Sequence, residues 1–147
     1  MTIAIASDHG GYKLKNEIIS YFDKNKISYK DLGCFSEEPV DYPDIAIKCA
    51  EAVARGEFEK GIIICGTGIG VSITANKVKG IRAALCHDTF SARMSREHNN
   101  ANVLTMGGRV IGPGLAIDIV KEWLAAEFAG DRHQRRVEKI MEYENSK

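Results

Sequence analysis

The sequence predicts an α/β fold built on a parallel sheet with helices on both faces. Three observations carry that reading. Short apolar runs alternate with helix-spaced apolar residues along the whole chain. No tight-hairpin signal joins neighbouring runs, which favours crossover connections over antiparallel pairs. The 147 residues, 44% hydrophobic and 27% charged, suffice for one domain with a full-sized core. No repeat, low-complexity tract or linker breaks the chain, so residues 1–147 are read as a single domain.

The elements follow in order. Thr2 to Ala6 reads as the first strand. Leu14, Ile18 and Phe22 recur every four residues and give one face of a helix. Ser28 to Leu32 is a weaker strand, ended by Gly33. Pro43 suits the first turn of a second helix, whose stripe is Ile45, Ala46, Cys49, Ala50 and Val53. Gly61 to Cys65 is a continuous apolar run, as a doubly covered strand requires. A short helix spans about Ile69 to Val78, and Ile81 to Cys86 is the fourth strand. Phe90, Met94 and His98 share a face of the next helix, and Val103 to Met106 is the fifth strand. Pro113 opens a helix with Ile119, Val120 and Trp123 inward. A final helix, from about Arg132 to Glu144, carries Val137, Ile140 and Met141.

Charge and cysteine content exclude several classes. Twenty basic residues balance twenty acidic ones, so no global field draws nucleic acid or an anionic membrane. No stretch is apolar enough to cross a bilayer, and the N-terminus does not read as a signal peptide. Cys34, Cys49, Cys65 and Cys86 form no C-x-x-C pair and no closely spaced Cys/His set. Reduced thiols and a cytoplasmic location are expected.

In open parallel sheets, ligands bind beyond the carboxyl ends of the strands, where strand order reverses. The common order 2-1-3-4-5 puts that point between strands one and three. Ser7-Asp8-His9-Gly10-Gly11 and Cys65-Gly66-Thr67-Gly68-Ile69-Gly70 would meet there. Glycines at 66, 68 and 70 let backbone N–H groups approach an anion, either a phosphate or a developing oxyanion. The dinucleotide fingerprint fits poorly, because residue 71 is Val and the loop follows the third strand. A Walker loop lacks its Gly-Lys-Ser/Thr, and a phosphatase loop lacks a nearby arginine.

Each candidate residue also has a plain structural reading. Cys65 is either a small apolar strand end or a thiolate favoured by loop N–H groups. Asp8 is a helix cap or a ligand residue, and His9 an exposed loop residue or a ligand residue. His98 suits a helix C-terminus without any ligand, His87 is similarly ambiguous, and Asn99-Asn100 ends the helix. Arg132 and Arg136 project from one helix face, as a solvated surface or as a phosphate clamp. Arg109 stands in the glycine-rich stretch GGRVIG.

The motifs ASDHGG, DYPD at 41–44, CGTGIGVSI with ANK at 65–77, GIRAAL, SREHNNANVLTMGGRVIG and GDRHQRRV run through nearly the whole chain. On these the chain resembles the type B ribose-5-phosphate isomerases of the ribose/galactose isomerase family. The resemblance implies a Rossmann-like three-layer sandwich with a five-stranded parallel sheet. It implies Cys65 as the base moving a proton between C1 and C2 of an open-chain sugar, and the main-chain N–H groups of Gly66 to Gly70, Gly68 and Ile69 among them, around the enediolate oxygen. His98, with Thr67, would assist ring opening. Asp8 and Asn99 would bind the sugar, Arg109 would complete the pocket, and His9, Arg132 and Arg136 would hold the phosphate. A site shared across a homodimer is implied, with further pairing to a tetramer left open, and no metal or organic cofactor. The related galactose-6-phosphate isomerase divides its catalytic residues between two different subunits, whereas this chain holds Cys65, Thr67, His98, Arg132 and Arg136 together. That favours ribose 5-phosphate, with allose 6-phosphate as the nearest alternative. A phosphocysteine carrier and a nucleotide-binding module are the rivals from other classes.

Overall fold

A computed structural model describes residues 1–147. Five parallel strands form one sheet: β1 (Ile3–Ser7), β2 (Tyr29–Asp31), β3 (Lys60–Cys65), β4 (Ala83–Leu85) and β5 (Val103–Gly107). Six helices accompany them: α1 (Tyr12–Lys24), α2 (Tyr42–Ala54), α3 (Ile69–Ala75), α4 (Thr89–Glu97), α5 (Pro113–Ala125) and α6 (Arg132–Asn145). The three-layer α/β sandwich is the expected one.

Strand order is β2-β1-β3-β5-β4. This corrects the expected 2-1-3-4-5 in its far half. Every residue of β5 is buried, so it belongs inside the sheet, whereas the three residues of β4 are half-buried or exposed, as an edge strand permits. The reversal between β1 and β3 is unaffected, so the Asp8 and Cys65 loops leave adjacent strands in the same direction.

The alternation of the strands sorts the core into two layers. Ile3, Ile5, Ile62, Ile64, Leu104 and Met106 face α1 and α5, where they pack on Leu14, Ile18, Phe22, Ile119 and Trp123. Full burial of each such aliphatic side chain contributes about 1.5–3 kcal/mol. Ala4, Ala6, Ile63 and Cys65 face the other way, onto Ala46, Cys49, Ala50 and Val53 of α2 and Val71 of α3. Small residues on both sides of this second layer let α2 approach the sheet closely.

Two helices differ from expectation. The face of α4 that carries Phe90 and His98 is its outer one: Phe90 is 62% exposed, while Ala92, Ser95 and Arg96 are buried. In α6 only Val137 of the three expected apolar positions is buried, and Ile140 is exposed. That helix runs along the amino end of the sheet, where Met141 Sδ meets Arg82 and Glu144 accepts the Gly80 N–H.

Candidate active site

Three loops press together beyond the carboxyl ends of β1, β3 and β5. The Asp8 N–H donates to Ile64 O at 3.2 Å, Gly108 N–H to Cys65 O at 2.8 Å and Arg109 N–H to Gly66 O at 3.0 Å. Their approach requires glycine at Gly107, where a β-carbon would lie 2.7 Å from the Thr67 main chain. Gly68 adopts φ +78°, a left-handed conformation that starts α3 and turns its own N–H back toward the preceding strand.

That N–H donates to Cys65 Sγ at 3.1 Å. Cys65 is buried at the end of β3, yet its sulfur faces a main-chain donor rather than hydrocarbon alone. The other cysteines contrast with it. Burial pushes the Cys49 thiol up to about 12 and the Cys86 thiol up to about 11. Cys34 is also buried, and its thiol donates to Ser36 O. Ile69 N–H is taken by Thr67 Oγ1 at 3.2 Å, and Thr67 is exposed at the loop's tip. The Gly66 and Thr67 N–H groups have no acceptor within the chain, so they are free for an oxyanion. Because α3 has only seven residues, these amides carry the anion-binding character more than a helix dipole does.

Beside this loop lies a polar cleft of about 380 Å³ lined by His9, Gly10, Lys13, Leu14, Glu37, Gly108 and Arg109. Val40 N–H donates to His9 Nδ1 at 3.2 Å, which leaves Nε2 of a neutral ring as the protonated nitrogen. The Arg109 guanidinium packs over Gly66, where a β-carbon would sit 3.3 Å from it. Asp8 is a cap as well as a site neighbour, since one of its oxygens accepts the Gly11 N–H at 3.1 Å.

The remaining expected residues stand elsewhere. His98 ends α4 and precedes β5, so it lies at the amino end of the sheet. Ala129 N–H donates to Glu97 O and brings the start of α6 to the same place, so Arg132 and Arg136 join His98 and the exposed Asn99 there. The six residues of β3 separate this group from Cys65 by on the order of 15 Å. One chain therefore assembles Cys65, Thr67, Asp8, His9 and Arg109 at one end of its strands, and His98, Asn99, Arg132 and Arg136 at the other.

Two residues of these clusters, Tyr42 and His133, were not singled out from the sequence, and a third, His87, had no role assigned. Tyr42 lies over the glycine loop, with a ring carbon 2.5 Å from where a Gly70 β-carbon would be. His87, left ambiguous above, accepts the Gly107 N–H through Nε2 at 2.9 Å and so braces β5 beside Cys65. His133 stacks on His98 with ring centroids 4.1 Å apart. Tyr42 and His133 both sit inside motifs, DYPD and GDRHQRRV, whose charged members took the attention.

Residues 3–140 match the family described as Ribose/Galactose Isomerase. The chain belongs to the ribose/galactose isomerase family. Among its relatives in the family, ribose-5-phosphate isomerase B of Escherichia coli is 50% identical, the match covering 94% of this chain and 93% of that protein. D-erythrulose-4-phosphate isomerase of Pectobacterium atrosepticum is 47% identical over 99% of this chain and 96% of its own. The solved structure of Clostridium thermocellum ribose-5-phosphate isomerase B superposes with a TM-score of 0.97 at 57% identity, covering 99% of both chains. This member of the family is thus a sugar-phosphate aldose–ketose isomerase. No helix in it is long and apolar enough to cross a membrane.

Proposed function

We propose that the chain interconverts ribose 5-phosphate and ribulose 5-phosphate through an enediolate, with Cys65 as the base. The observation that carries this is the Cys65 sulfur held 3.1 Å from the Gly68 N–H, with the free amides of Gly66 and Thr67 beside it. A thiolate there takes the proton from C2 of the open-chain aldose, and the C–H electron pair forms the C1–C2 double bond. The carbonyl oxygen receives the negative charge under the loop amides. The O2 hydroxyl then gives its proton to O1, and the Cys65 thiol returns its proton to C1. Base and oxyanion donors lie in one loop, so proton removal and charge stabilisation are coupled.

Ring opening is a separate transfer. His98 and Thr67 would protonate the ring oxygen and take the proton of the anomeric hydroxyl. His98 stands too far from Cys65 of its own chain, so it would act from a second copy, with Arg132 and Arg136 reaching the phosphate beside His9. Binding the remote phosphate supplies orientation at C1 and C2. The exposed Ile69 and Ile73 on α3, at the mouth of the Cys65 loop, support an apolar contact with that copy. A homodimer follows. Unpaired thiols fit the cytoplasm.

Incubating the protein with ribose 5-phosphate in deuterated buffer tests the reading. Ribulose 5-phosphate should form with deuterium entering at the transferred position, and Cys65→Ala should lose about 10²–10⁴-fold in rate. Full activity in Cys65→Ala would sink the assignment of the base. The relative that is named for erythrulose 4-phosphate favours a second reading, in which the same mechanism acts on a sugar phosphate of another length. Allose 6-phosphate belongs to that reading too. Comparing kcat/KM for four-, five- and six-carbon substrates decides between them.

A further inference from the structure

His133 lies between two arginines of the basic stretch, and the mechanism above does not use it. Its ring stacks flat on His98, with an interplanar angle of 11° and centroids 4.1 Å apart. Both rings hang from fixed backbone. His98 N–H donates to Met94 O at 2.8 Å, His133 N–H to Gly130 O at 3.0 Å, and Ala129 N–H ties the two segments through Glu97 O. His133 is buried, whereas His98 is half-buried.

We propose that His133 is a positioning residue: its buried imidazole is the platform that sets the ring plane of His98. The proposal rests on the ring-opening reading of His98. Two imidazolium rings stacked at this distance repel, so the second proton is opposed. The surroundings decide which ring stays neutral. Burial, then His98, Arg132 and Arg136, hold His133 below its ordinary pKa, with Asp131 opposing. On the α4 side the facing charges are Glu97 and its ion-pair partner Arg93, and Arg82 reaches the Asn99 and Asn100 carbonyls. A general acid needs its ring edge aimed at one substrate oxygen, and a lone surface histidine would rotate freely. The stack removes that freedom.

The test combines histidine NMR titration of the whole protein with kinetics on two substrates. A four-carbon aldose phosphate serves as the control, because its C4 oxygen is esterified and cannot close a five-membered ring. Replacing His98 by Asn should raise the His133 titration midpoint. His133→Ala should lower kcat/KM on ribose 5-phosphate about tenfold and spare the four-carbon substrate. His133→Phe, which keeps a flat ring without a proton, should restore most of the loss. A His133→Ala enzyme unchanged on ribose 5-phosphate, while His98→Asn is impaired, overturns the proposal alone. A His98→Asn enzyme that is itself unimpaired overturns the ring-opening reading and this proposal with it.

Discussion

A single main-chain donor distinguishes Cys65 from the other three cysteines of the chain. Cys49 and Cys86 are held protonated by burial, which suits packing and not proton abstraction. Gly107 is the residue whose loss should separate geometry from chemistry, because Gly107→Ala drives a methyl group into the Thr67 main chain. That variant should cost about 1–3 kcal/mol in stability and displace the oxyanion amides, lowering kcat more than it raises KM. Urea unfolding and steady-state rates measure both. His133 supplies a pH signature. Its folded value is depressed, so the unfolded chain binds more protons below about pH 6.5. Stability should therefore fall as pH drops below that value and be fully retained above it. Unfolding midpoints between pH 7 and 5 should show a shallower slope in His133→Asn, and an unchanged slope would contradict the burial of a neutral ring.

Lys15 on α1 holds the next connection in place. It is fully buried and donates to Asp31 Oδ1 at 2.8 Å and to the Cys34 carbonyl. The same Asp31 oxygen takes the Gly33 N–H, so one ion pair ties α1 to β2 and to the following loop, whose Val40 N–H meets His9. Lys15→Met removes the cation paired with Asp31 and the side-chain donor to the Cys34 carbonyl, and should cost about 3 kcal/mol by urea unfolding. A loss under about 0.5 kcal/mol would show that the loop is held by other means. The sequence places this lysine three and seven residues before Ile18 and Phe22, on the buried face of α1, but nothing in it reveals Asp31 and Cys34 as the partners. The strands were legible because apolar runs and their breakers are local. The exchange of β4 and β5 was not, since it depends on which strand the whole molecule buries. Cys65, Thr67, Asp8 and His9 were legible as neighbours because adjacent strands deliver them, whereas Arg109 reaches them only through the exchange that sets β5 beside β3. Tyr42 and His133 were not, because their contacts come from elements whose approach no spacing encodes.

At the scale of the molecule, one chain presents two incomplete clusters at opposite ends of its sheet. The Cys65 sulfur, the loop amides and His9 stand at the carboxyl end, while His98 and the arginine pair stand at the amino end. Two copies facing each other would bring the unlike ends together, and the exposed Ile69 and Ile73 are placed to be covered when they do. Closing the cleft in this way would also exclude water from the enediolate. Complementation between inactive variants tests the shared site most directly. Cys65→Ala and His98→Asn chains, co-expressed with different tags and purified as mixed dimers, should regain about half the wild-type turnover on ribose 5-phosphate per dimer, because one of the two sites is then intact. Mixed dimers no more active than the two parent variants would mean that thiol and histidine do not meet across a subunit boundary.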